Sequence, residues 1–324
     1  MRPFCVFVWL VSVGVGGLWA LDGWAFSSSL ETSWFTGEAH ELVYQKWDEG
    51  DHLLSRLVWP AEGWLLEAEA GLSWWRVGIE GWYAFLVGGR EPGAWMEDYD
   101  YMNLGDPDPT HFSTHPVELG PYREIGGGLS FRIVDRSAVR ISLGAGWEYL
   151  HRYWSAHDGY AQYPSGVGDP YDPSSGTGWP YPEWTGDEPK SSFDGEVITY
   201  EQEVMGPVLL FRCGMRPSTR LEAETSVMWS PYPLAVTLDE HVLRDILFLD
   251  KMAGGVLLDV SGELQVFLWK GLSLYGRGWY RLVSMAKGDS YFKEEGTWYQ
   301  AADGKSGMES TEWGLGMGMR VMVE

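Results

Sequence analysis

Val139-Arg140-Ile141-Ser142-Leu143-Gly144-Ala145-Gly146-Trp147-Glu148-Tyr149 alternates, residue by residue, between two chemistries. Val139, Ile141, Leu143, Ala145, Trp147 and Tyr149 make one face, and Arg140, Ser142, Gly144, Gly146 and Glu148 make the other. That period of two belongs to a β-strand, whose successive side chains point to opposite sides. A strand in a soluble sandwich usually runs ~5–6 residues. This run is about twice as long and matches the ~9–11 residues of a tilted strand that crosses a bilayer.

The pattern recurs along the chain. Between Arg76 and Val87 one face carries Val77, Ile79, Gly81, Tyr83, Phe85 and Val87, opposite Arg76, Gly78, Glu80, Trp82 and Ala84. Ile125, Leu129, Phe131 and Ile133 oppose Glu124, Ser130 and Arg132; Leu221, Ala223, Val227 and Trp229 oppose Arg220, Glu222, Glu224 and Ser226. Leu258, Val260, Leu264 and Val266 oppose Asp259, Ser261, Glu263 and Gln265, and Trp313, Leu315, Met317, Met319, Val321 and Val323 share a final face. Roughly ten such strands can be drawn, an even number as in bacterial barrels. Trp74, Trp75, Trp147, Trp154, Trp229, Trp269 and Trp279 stand near segment ends, where interfacial girdles are expected.

The connections alternate too. Short turns fall at Asp135-Arg136-Ser137, Arg216-Pro217-Ser218 and Trp269-Lys270-Gly271, and long polar stretches at Gly89–Gly120, Asp158–Gly195 and Lys287–Ser310. The expected fold is therefore all-β: an antiparallel, ten-stranded transmembrane β-barrel with long extracellular loops and short periplasmic turns.

Composition agrees. The 324 residues include 20 Trp, 17 Tyr and 42 Gly, with a formal charge of −23. A polyanion would be repelled, so nucleic acid is excluded as a partner, while cationic partners are favoured. Met1-Arg2-Pro3 followed by the apolar run Phe4 to Leu18 reads as a signal peptide, residues 1–25, cleaved roughly between residues 20 and 25. Residues 26–324 then form one barrel domain. Cleavage would remove Cys5 and leave Cys213 as a lone packing thiol. No later apolar stretch reaches the ~18 residues of a transmembrane helix, so a membrane location requires a barrel.

Zinc-type clusters, a Gly-x-Ser-x-Gly elbow and a phosphate loop are all lacking from the sequence. Two clusters carry chemistry. In Met96-Glu97-Asp98-Tyr99-Asp100-Tyr101, an extended backbone puts Asp98 and Asp100 on one side, close enough to couple. In Leu238-Asp239-Glu240-His241, Asp239 and His241 share a face, and the carboxylate could orient the imidazole as a general base on water. By themselves these clusters also read as solvated acidic loops, or, for Asp98-x-Asp100, as a Ca²⁺ site.

Their joint context resembles the omptin family of outer-membrane proteases. Leu54-Ser55-Arg56-Leu57-Val58-Trp59 is similar to an early family strand, and Ile79-Glu80-Gly81-Trp82 to the strand leading into the first active-site loop. Met96-Glu97-Asp98-Tyr99-Asp100, then Thr110-His111-Phe112-Ser113-Thr114-His115-Pro116, follow in family order, with Tyr101 in place of a Trp. Asp239-Glu240-His241 looks like the family's catalytic element, and Gly278-Trp279-Tyr280-Arg281 like an aromatic–Arg strand.

The resemblance implies an outer-membrane endopeptidase, monomeric and surrounded by outer-membrane lipid, with its active site facing outside. Asp239 and His241 would act as base, and Asp98 and Asp100 would hold the water and stabilise the tetrahedral intermediate. Ser113 and His115 would support the cleft. No covalent intermediate, cofactor or metal is implied. For specificity toward basic residues, Glu41 matches one acidic pocket position, whereas Thr237 and His111 replace two others. Glu203 stands where the family holds lipopolysaccharide phosphate with a base, so the resemblance implies lipopolysaccharide as an activator only weakly. The alternatives are a catalytically inactive barrel acting as an adhesin or binding protein, and a porin-like channel. About ten strands are too few for an open pore, which takes ~16–18.

Overall fold

In the computed structural model of the chain, residues 23–47, 50–89, 93–103, 106–164, 181–269, 271–285 and 287–323 are described. Most of the expected signal peptide, with Cys5, lies outside the described residues. The first strand begins at Trp24, so it takes up the last two residues assigned to that peptide.

Among the described residues seventeen strand segments make one antiparallel sheet. In chain order they are β1 (Trp24–Trp47), β2 (Gly50–Trp74), β3 (Val77–Gly89), β4 (Ala94–Asp100), β5 (His111–Leu119), β6 (Arg123–Asp135), β7 (Val139–His157), β8 (Tyr160–Gln162) and β9 (Lys190–Ser192). There follow β10 (Glu196–Ser218), β11 (Leu221–Ser230), β12 (Leu234–His241), β13 (Ile246–Ala253), β14 (Gly255–Trp269), β15 (Leu272–Met285), β16 (Gly288–Glu294) and β17 (Thr297–Val323).

Four pairs of these run end to end along a shared neighbour: β3 with β4 on β2, β5 with β6 on β7, β11 with β12 on β10, and β15 with β16 on β17; a fifth, β13 with β14, runs along the β12–β11 line. With the rim hairpin β8–β9 set aside, the described segments therefore form ten staves. β1 pairs with β2 on one side and with β17 on the other, from Phe26↔Val323 to Gln45↔Gly304, and this closes the sheet. Among the described residues closure leaves no open edge in the membrane, which hydrocarbon would not tolerate.

The alternation resolves inside out. Leu129, Leu143, Leu264, Leu315 and Met317 are exposed, while Glu31, Glu124, Glu148, Arg152, Arg281 and Glu312 are buried in the lumen. The apolar face is therefore the lipid face. Lumen charges are matched in pairs and cages. Arg281 donates from Nη1 to Glu124 Oε2 (2.7 Å) and the Tyr122 hydroxyl (3.0 Å), and from Nη2 to Asp259 Oδ2 (3.1 Å). Glu148 Oε1 lies 3.3 Å from the same guanidinium. Arg152 pairs with Glu312 (2.9 Å), and Arg277 with Glu67 (2.6 Å). Inward aromatics fit because glycines face them: a Cβ on Gly126 would stand 2.2 Å from the Trp82 ring. Among the described residues these ion pairs and inward rings occupy the lumen around Arg281 and Trp82. A polar cavity of about 460 Å³ at the turn end reaches up only to the level of Arg281.

Exposed Trp74, Trp75, Phe131 and Trp269 form the girdle at the turn end, and Trp64, Trp147, Trp229 and Trp313 the girdle at the loop end. Between Trp64 and Trp74, ten residues at ~3.3 Å each with a tilt of ~40° span roughly 25 Å, the height of a membrane band. Two expected girdle residues belong elsewhere. Trp154 (0% exposed) and Trp279 (7%) point into the barrel, because each falls on the inward register of its strand.

The long polar stretches also differ from expectation. Gly89–Gly120 contains β4 and β5, and Lys287–Ser310 contains β16 and the start of β17. The sheet therefore continues well past the loop-end girdle. Polar residues there alternate as a strand does, but without a lipid-facing apolar partner face they lack the contrast that marks the membrane strands.

Candidate active site

The loop-end walls carry the two clusters. β4 lies between β2 and β5, with Asp98 opposite Leu57 and Ser113, and Asp100 opposite Ser55 and His111. β12 lies between β10 and β13, with Asp239 opposite Tyr200 and Phe248, and His241 opposite Ile198 and Ile246. The two walls look at each other across the barrel mouth, near enough for Asp98 and His241 to feel each other's charge.

Within each wall the hydrogen bonds are specific. His241 Nε2 lies 2.9 Å from Asp239 Oδ2. Ser55 donates from Oγ to Asp98 Oδ1 at 2.9 Å. These are period-two contacts or cross-strand contacts, so the strand backbone itself sets them.

Burial pushes the Asp98 carboxyl up to about 8, and the neighbouring Asp100 charge adds to the rise. Burial raises Asp100 to about 6, against the pull of Ser55, Arg244 and His241. Two carboxyls whose protons leave at such different pH share one proton between them, because like charges at close range cannot both ionise readily. For His241, burial disfavours the charged ring, but the Asp239 charge and hydrogen bond outweigh it and the pKa is raised. An imidazole oriented by a carboxylate, facing a half-protonated acid pair, can take a proton from a water and stabilise the oxyanion that forms.

The other expected site residues fall into two groups. Glu41 is buried on β1, close in charge to Asp239, Asp250 and Asp98, and its carboxyl is held well above its ordinary range, first by burial. Thr237 is buried and donates from Oγ1 to Asp250 Oδ2 (3.3 Å). Both line the cleft beneath the Asp239–His241 pair.

Ser113, His115 and His111 stand beside the acid wall on β5, on the same face of the sheet, with Ser113 opposite Asp98 and His111 opposite Asp100. His115 Nδ1 bonds the Asp158 carbonyl, and Nε2 lies 3.2 Å from Ser113 Oγ. This fixes the ring between β5 and the β7–β8 turn, and burial lowers its pKa. His111 Nδ1 lies 2.8 Å from Thr110 Oγ1, and the ring packs against Tyr163 and Tyr181.

Two residues at the site carried no role in the sequence reading. Ser55 sat inside a quoted motif, and only the β2–β4 register shows that its hydroxyl reaches Asp98. Asp250 was unmarked. A hairpin turning at Val242–Arg244 brings it opposite Thr237, so strand pairing carried forward from His241 was the signal that could have found it.

A closed transmembrane barrel with an Asp–Asp wall facing an Asp–His wall at one rim defines a class of surface barrel, one with acid–base groups in a cleft. The sequence model of the Omptin family matches residues 24–322. The chain belongs to the omptin family. It is 23% identical over 282 residues to the plasminogen activator of Yersinia pestis, covering 82% of each chain. Among solved structures it resembles the outer membrane protease OmpT of Escherichia coli, with a TM-score of 0.80 and 19% identity over 92% of this chain and 97% of that one.

Proposed function

We propose that the chain is an endopeptidase of the bacterial outer membrane, hydrolysing polypeptides at a cleft that faces outside. One observation carries this reading: Asp98 and Asp100 on one wall meet Asp239 and His241 on the other across a single mouth. Family membership and a matched relative whose structure is that of a protease support it.

His241 acts as general base. With Nε2 held by Asp239, Nδ1 is left to take the proton from water. Asp98 and Asp100 hold that water, and their shared proton stabilises the tetrahedral oxyanion. Water attacks directly, so no covalent acyl-enzyme forms and no metal or cofactor is required. The −23 charge and buried Glu41 favour cationic peptides, with cleavage near basic residues. The barrel works as a monomer in outer-membrane lipid. Little supports a lipopolysaccharide dependence, because outward Glu203, which accepts a hydrogen bond from Tyr149 (2.7 Å), would repel a phosphate.

The test is peptide cleavage by refolded protein in detergent, with and without lipopolysaccharide, beside Asp98→Ala and His241→Ala. Loss of cleavage in both variants supports the reading. A folded barrel that cuts nothing under either condition points to a binding protein instead.

A further inference from the structure

Carboxylates in this barrel come in two kinds. Those in the lumen are answered by arginines: Glu124 by Arg281, Glu67 by Arg277, Glu312 by Arg152 and Glu263 by Arg320. Those at and beneath the Asp239–His241 pair are not. Glu41, Asp239 and Asp250 are 2%, 4% and 3% exposed, and among the described residues none of the three has a Lys or Arg partner. Glu41 Oε2, Asp239 Oδ1 and Asp250 Oδ1 are each buried without a hydrogen-bond donor. Leaving buried carboxylate oxygens unanswered is costly, so the arrangement suits a cationic group that arrives from outside.

The chemistry of the visitor follows from spacing and lining. A single bound metal ion needs its ligand atoms to converge. Among the described residues the only group that does so is His151, Glu201 and Glu203 on the outer wall. Acceptors spread over several strands instead suit a guanidinium or ammonium, which has several donors. One residue deeper than Glu41 and Leu57 in the inward register, Trp59 stacks on Tyr200 with ring centroids 5.3 Å apart, which gives an apolar wall for an aliphatic stem and a π-face for its cationic end. Thr237 donates to Asp250 Oδ2, and the Ser290 and Ser306 hydroxyls also face this carboxyl, while Oδ1 has no hydrogen-bond partner.

We propose that Asp250, reaching over from the strand beside Asp239, is the specificity-determining carboxylate of a buried subsite that takes a positively charged substrate side chain, with Thr237 positioning it. This rests on the endopeptidase reading for the identity of the substrate, and adds the residue that selects it. Position 237 lacks an acid, and position 250 supplies one across the strand pair.

The test uses the refolded barrel in detergent and two peptides identical except for one Lys or Nε-acetyl-lysine, scanned across the scissile bond. Cleavage (kcat and KM separately) and binding by fluorescence anisotropy are measured for wild type, Asp250→Asn, Asp250→Glu and Thr237→Val. Heat-shifted electrophoretic mobility certifies folding. Wild type should prefer the Lys peptide by about 100-fold, the scale of one well-desolvated charge pair. The ratio should fall at least tenfold in Asp250→Asn, mostly through KM, and recover in Asp250→Glu; Thr237→Val should show a smaller fall. An unchanged ratio in folded Asp250→Asn overturns the proposal, as does a wild type that treats the two peptides alike. Selective binding without cleavage would leave the subsite standing and remove the endopeptidase reading.

Discussion

His241 Nε2 and Asp239 Oδ2 are 2.9 Å apart on one face of one strand, facing the Asp98–Asp100 wall. If this pair is the base, His241→Ala should lower kcat by ~10²–10⁴, the usual contribution of a positioned acid or base. Steady-state hydrolysis of a Lys-containing peptide, with folding checked in parallel, measures it. Wild-type kcat in the alanine variant would remove the imidazole from the mechanism.

The pH profile should be a bell. His241 must be neutral to act, and its raised pKa places the acid limb above the ordinary ~6.5 of a histidine. The Asp98–Asp100 pair keeps one proton between about 6 and about 8, so activity should fall again as pH passes about 8. In Asp239→Asn the upward pull on the ring is gone, and the acid limb should move down. kcat/KM recorded between about pH 5 and about pH 10 tests this, and a flat profile from about 5 to 8 contradicts the base assignment.

Arg281 stands against Glu124, Glu148 and Asp259 in the lumen. Replacing it with Met strands three buried acids, and should cost about 3–5 kcal/mol. Urea unfolding of the barrel in lipid vesicles would show it. A loss below about 1 kcal/mol would mean that water already screens the cage.

Leu129, 60% exposed on β6, lies in the lipid band, whereas Leu243, 53% exposed, lies at the cleft rim. Leu129→Arg should destabilise by ~2–4 kcal/mol, as charge at mid-bilayer does, and Leu243→Arg by no more than ~0.5 kcal/mol. Equal costs would show the band to be misplaced.

Asp250 should trade stability for its role. Burial, aided by the Asp239 charge, lifts its carboxyl to about 6, so the folded state holds the proton more tightly than the unfolded chain. The penalty is absent below the unfolded pKa and grows as pH rises toward about 6. Asp250→Asn should therefore stabilise the fold above that pH, by up to roughly 2–3 kcal/mol, and give no gain near pH 4. Unfolding midpoints at the two pH values decide it.

Much of this was legible in the chain itself. Alternation in Val139–Tyr149 and its repeats identified membrane strands, because a sheet between lipid and a polar lumen imposes two chemistries at period two. Asp98 with Asp100, and Asp239 with His241, could be paired because a strand brings i and i+2 to one face.

What the sequence could not supply depends on which strands become neighbours. Trp154 and Trp279 look like girdle residues until register turns them inward. The polar rim reads as loop until β4, β5 and β16 find partners to pair with. Glu41 meets Asp239, and Asp250 meets Thr237, only when the ring closes and the hairpin folds back. Periodicity is a local property of the backbone and is written into every strand. Convergence of side chains from distant strands is fixed by register and closure, which no single stretch of sequence contains.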